Sequence, residues 1–321
     1  MTGLSASSSL KPVTDRRSAF SLIEIIVVVG LMSFIILGLM QMFNQTQRAF
    51  KLGTTQVDVL ESGRAVMDMM QRELSQMKPS RLSNSVNFYA QIPLPATGYA
   101  PLLQELPGIP VPSGSRLPSR TNILQEIFFL TEENQRWNGI GYFVSPRKEG
   151  VGTLYRYETN APFGQDVSVH YRTFFDAVDK FQNNISTPRT NNMTRLMDGV
   201  VHLRVRAFDT NGLWITNSVP FKDPFNAVVR RPYFTSYSQP VPAVHETEVY
   251  LLYSNVVPAT VDLELGILED SAIAKIKSIY NPANLTAQAD ARRNYLTNQA
   301  ARTHLFRIRV PIRNVDPTAY Q

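Results

Sequence analysis

The chain has 321 residues, 43% hydrophobic and 18% charged, a globular balance that excludes wholesale disorder. Its formal charge is +6, of which Lys11, Asp15, Arg16 and Arg17 together supply +2 ahead of the first apolar run, leaving a mild +4 that does not by itself imply nucleic-acid binding. Cysteine is absent, which excludes disulfides, Cys-ligated zinc and a thiol nucleophile.

The first element is an apolar run. From Phe20 to Phe43, 24 residues carry one charge, Glu24. As a helix rising about 1.5 Å per residue they span roughly 36 Å, enough for the hydrocarbon layer of a bilayer. Arg16 and Arg17 precede the run, so the positive-inside rule places residues 1–19 in the cytoplasm and the rest outside. A secretory signal peptide would carry an apolar region of about 7–15 residues and a small-residue cleavage site after it. The run here is longer and passes into a helical pattern instead. Leu60, Gly63, Met67, Met70, Leu74 and Met77 recur at alternating spacings of three and four, one stripe on a helix. Lys78-Pro79 ends it, because proline disfavours helix at the residue before it. The spacing therefore predicts one helix over residues 20–78, membrane-spanning over 20–43 and amphipathic beyond.

The quoted run "AFSLIE", residues 19–24, preceded by Arg16-Arg17, resembles the N-terminal signal of type IV pilins and type II secretion pseudopilins. The resemblance implies a leader over residues 1–19, cut by a prepilin peptidase between Ala19 and Phe20, with Phe20 becoming the N-methylated N-terminus. The family usually has glycine where this chain has Ala19. It also implies that Glu24, costly alone in lipid, pairs with the new amine on a neighbouring subunit's Phe20, each charge offsetting the other's desolvation. Leu22, Ile23, Ile25, Ile26 and Val27–Val29 would then pack between helices in a fibre.

After the helix, residues 79–121 are rich in proline, serine and glycine and read as an irregular, loop-like region. Short β-like segments follow within 122–321: "NILQEIFFLT", "GIGYFVS", "TLYRYET", "VVHLRVRAF", "LWITNS", "TEVYLLYS", "ATVDLELGIL" and "LFRIRVPIR". "DTNG", residues 209–212, is a turn signal, and Pro311 suits an edge strand. Residues 270–301 have helical character. The expected class is α+β, a long N-terminal helix packed by its second half on an antiparallel sheet. "SGRAVMDMMQREL", "DGVVHLRVRAFDTNGLW" and "VVPATVDLELGILED" resemble the J-type minor pseudopilins and related large minor pilins, and the last is also similar to a pilin-like cassette family of Verrucomicrobia.

The sequence holds no GxSxG, P-loop, HExxH or CxxC motif. "HETE", residues 245–248, reads as a surface histidine among acids, and "DTNG" lacks the distal ligands of a calcium loop. No cofactor or metal is expected. Arg204, Arg206, Arg230, Arg231, Arg307, Arg309 and Arg313 would form a basic strip if their strands adjoin, with a solvated sheet face favoured over nucleic-acid contact.

The leading expectation is a non-enzymatic minor pilin or pseudopilin. It would sit single-pass in a bacterial inner membrane with the β-rich part periplasmic, and meet a prepilin peptidase, other pilins and an inner-membrane assembly platform. Two readings of other classes stay open: a fibre-tip adhesin or DNA-uptake pilin binding through the basic strands, and a membrane-anchored periplasmic enzyme.

Overall fold

The computed structural model describes residues 21–82, 85–92, 99–106, 119–162, 166–183, 192–215, 249–279 and 284–320. Helix α1 (Leu22–Ser75) comes first. Contacts divide the chain into residues 1–54, whose described part is helical from Leu22 onward, and residues 55–321.

The second unit is built on an antiparallel sheet. Strands β1 (Val86–Gln91), β4 (Glu126–Glu133), β5 (Arg136–Ser145), β6 (Gly152–Pro162), β7 (Met193–Phe208), β8 (Val249–Tyr253), β9 (Thr260–Leu268) and β10 (Thr303–Pro311) pair in the order β10-β9-β7-β6-β5-β4-β1-β8. Strands β2 (Leu102–Glu105) and β3 (Ser119–Asn122) form a separate hairpin. Helix α2 (Ser168–Asn183) joins β6 to β7, and α3 (Asp270–Ser278) and α4 (Leu285–Thr297) join β9 to β10. A long helix followed by an antiparallel sheet makes the chain α+β.

The strands alternate between two cores, so strands buried on both faces read as nearly continuous apolar runs. In β4, Ile127 and Phe129 join the residues of α1, whereas Phe128 and Leu130 face α2. The first core contains Val59, Val66, Met67, Met70, Leu74 and Met77. In the second, Phe174 of α2 stacks on Phe128 at 5.4 Å between ring centroids. A third cluster seats α3 and α4 through Ala272, Ile276 and Leu296 on Val201, Leu268 and Leu102.

Several elements differ from the sequence reading. The stripe on α1 begins at Val59, 5% exposed, and not at Leu60, 40% exposed. A 3.6-residue period admits either neighbour at its end; packing selects one. The helix stops at Ser75 because the backbone of Met77 is drawn into a bridge with Thr131 and Lys78 N–H donates to Leu130 O at 3.0 Å. Within 79–121, expected to be irregular, β1 and β2 form and β3 begins, in stretches without proline. Helix α2 was not expected, although Val167, Tyr171, Phe174, Val178 and Phe181 recur at helical spacing. "LWITNS" yields an isolated bridge, Phe208 to Trp214, and its residues past 215 lie outside the described residues.

Candidate functional site

The helix start carries most of the sequence-derived candidates. Leu22, Ile23, Glu24, Ile25 and Ile26 occupy the opening turns of α1, where Glu24 meets the positive end of the helix dipole. Arg16, Arg17, Ala19 and Phe20 lie outside the described residues. From Leu22 to Phe43 all seventeen large apolar side chains are at least 54% exposed, on every face of the helix. Burying one such side chain is worth about 1.5–3 kcal/mol, so this surface forgoes on the order of 25–50 kcal/mol in water. A surface of that kind fits a single-pass membrane anchor. Ser33 Oγ donates to Val29 O at 2.8 Å, which satisfies the hydroxyl within the helix. Among the described residues this is one helix long and apolar enough to cross a membrane.

Beyond Thr54 the same helix is amphipathic and seated on the sheet. At Gly63 a Cβ would lie 2.5 Å from the Phe306 ring and 2.6 Å from Ile267 Cδ1, so glycine permits the close approach to β9 and β10. Glu73 stands in α1 among the polar residues Gln71, Arg72 and Gln76, a setting that by sequence favours water. The structure instead holds it half-buried: Arg156 Nε donates to it at 2.9 Å, Arg156 Nη2 lies 2.8 Å away, and the Tyr142 hydroxyl also donates to it. The signal was present, since Glu73 stands three residues after Met70 and four before Met77, on the buried face. Burial raises the Tyr142 phenol well above its ordinary value, with the Glu73 charge adding to it, and the hydroxyl stays a donor.

The arginine strands do adjoin, but acids separate them. On the β7–β9–β10 face, Arg204 and Arg307 flank Glu264, and Arg206 and Arg309 flank Asp262. Arg309 donates to Asp262 from Nε at 2.6 Å and Nη2 at 3.0 Å, and Arg307 from Nη2 at 3.2 Å. Chiefly through the Arg309 hydrogen bonds, Asp262 is held below the usual carboxylate range. Arg309 also lies 4.9 Å over the Phe208 ring. His202 accepts the Ile123 N–H at Nδ1 (3.1 Å) and sits 3.3 Å from Glu264 through Nε2. Burial pushes this imidazole down. Arg230, Arg231 and "HETE" lie outside the described residues. "DTNG" is a turn: Asp209 Oδ1 accepts from Asn211 N at 2.9 Å and Leu213 N at 2.8 Å. Among the described residues no group of three His, Asp or Glu side chains is placed to hold a metal ion.

A second buried ion pair, Arg147 with Glu126, lies beside Tyr89, whose hydroxyl is 3.4 Å from Glu126. Burial raises Glu126 despite the guanidinium.

These features define an α+β chain whose first helix is apolar on all sides and then binds a sheet through one face. No family model matches the chain, and no curated protein matches it. A solved structure of a type IV-like pilin from Thermus thermophilus aligns over 79% of this chain and 94% of its own, with 14% identity and a TM-score of 0.31, a loose likeness.

Proposed function

We propose that the chain is a membrane-anchored minor subunit of a type IV pilus-like or type II secretion-like fibre. One observation carries this reading: a helix exposed and apolar on every face, with a single carboxylate in its first turn, continues into a segment that anchors a large sheet. Such a helix is stable in lipid before assembly and among neighbouring helices after it, so the same surface serves both states. Cleavage between Ala19 and Phe20 would create an amine able to neutralise Glu24 of an adjacent subunit. Registers that leave either charge unpaired in an apolar bundle are disfavoured by several kcal/mol. The eight-stranded sheet with helices on both faces supports a minor, tip-proximal place, because bulk of that kind limits close lateral repetition.

Two measurements test this. N-terminal sequencing with mass analysis of the mature protein should give an N-methylated Phe20, and a chain still beginning at Met1 would overturn the reading. Glu24→Gln should lower incorporation into fibres, as judged by cross-linking to neighbouring subunits, while leaving membrane insertion intact.

A further inference from the structure

Strand β10 ends the sheet order and pairs with β9 alone. Among the described residues, no backbone hydrogen bond joins its outer edge to another segment. Exposed edges are commonly guarded by charged side chains that overhang them. Here the guanidinium groups of Arg307 and Arg309 turn inward, onto Asp262 and Glu264 of β9, which fixes their positions, and Pro311, with no N–H, limits the free edge to the residues before it. Each keeps one Nη1 unengaged by those acids, and the two residues stand about 6.6–6.8 Å apart along the strand. Leu305 and Pro311, both exposed, bound this stretch on the same face.

We propose that the β10 edge takes up an extended acidic segment of a partner protein as an added strand. The main chain would supply affinity, and carboxylates at alternate residues would meet Arg307 and Arg309. A nucleic acid fits less well. It has no peptide main chain to pair with a strand edge, and four arginines against two acids leave too little net charge to neutralise a phosphate backbone. This inference does not depend on fibre membership, since it concerns the sheet alone.

The test uses the full chain in zwitterionic detergent micelles. The probes are a fluorescent short peptide alternating valine and glutamate, its lysine counterpart, the acidic peptide N-methylated at alternate backbone nitrogens, and an oligothymidylate. The acidic peptide should bind and should slow hydrogen exchange at β10 amides, while the lysine and N-methylated peptides should bind at least about tenfold more weakly. Arg307→Gln combined with Arg309→Gln should weaken the acidic peptide by about tenfold with β10 still protected as in the free wild type. Equal binding of the lysine peptide, unchanged exchange at β10, or preferential capture of the oligothymidylate would each overturn the proposal.

Discussion

At the scale of single residues, His202 shows how hydrogen bonding fixes a protonation state. Its Nδ1 accepts the Ile123 N–H, so the ring proton resides on Nε2, toward Glu264. Adding a proton at Nδ1 would set two donors against each other. Arg204 on β7 and the Arg120 side chain on β3 oppose the charge further, Glu264 on β9 favours it, and burial outweighs that help. An unfolded histidine titrates near 6.5, so folding stability from this site is complete above that pH and falls as pH drops below it toward the lower folded value. Denaturant unfolding at pH 7.5 and pH 5.5 should show the loss, and His202→Gln should flatten it. Asp262 and Glu264, both held below their ordinary values, add a separate loss below about pH 4. Glu73→Gln should cost about 1–3 kcal/mol, because Arg156 loses its charged partner on the helix while Glu158 remains beside it.

At the scale of elements, the seat of α1 depends on one missing side chain. Gly63→Leu should destabilise the sheet unit by about 1–3 kcal/mol, since Phe306 and Ile267 fill the space a side chain would need. Thermal unfolding in detergent measures it. The helix and most strands were legible because their apolar spacing reports burial directly. Helix α2 was harder to see because Asp176, Asp179 and Lys180 crowd its outer face and only five apolar positions mark the inner one. Glu73, hidden among polar neighbours, could be recognised only by counting turns from Met70 and Met77. The acids between the arginine strands escaped notice for another reason. Register across β7, β9 and β10 is a long-range property, and "ATVDLELGIL" alone does not say which strands flank it.

For the whole molecule, the two units make opposite demands on solvent. The described part of residues 1–54 is exposed and, up to Phe43, almost wholly apolar, while residues 55–321 hold their own buried cores. A chain beginning at Thr55 should therefore fold and stay monodisperse without detergent, whereas the full chain should require it. Size exclusion and circular dichroism of both forms decide this. The apolar stretch 20–43 was legible in the sequence, because hydropathy needs no long-range pairing to be read; the boundary at Thr54 was not, since it depends on which residues meet the sheet.

The stitch between the end of α1 and β4 has a mechanical consequence. Met77 bridges Thr131, Lys78 is tied to Leu130 through its backbone and to Glu132 through its side chain, and β4 has strands on both sides. A tug applied along the helix is thus handed to an interior strand gripped by a ladder on each side, instead of to a border strand held by one.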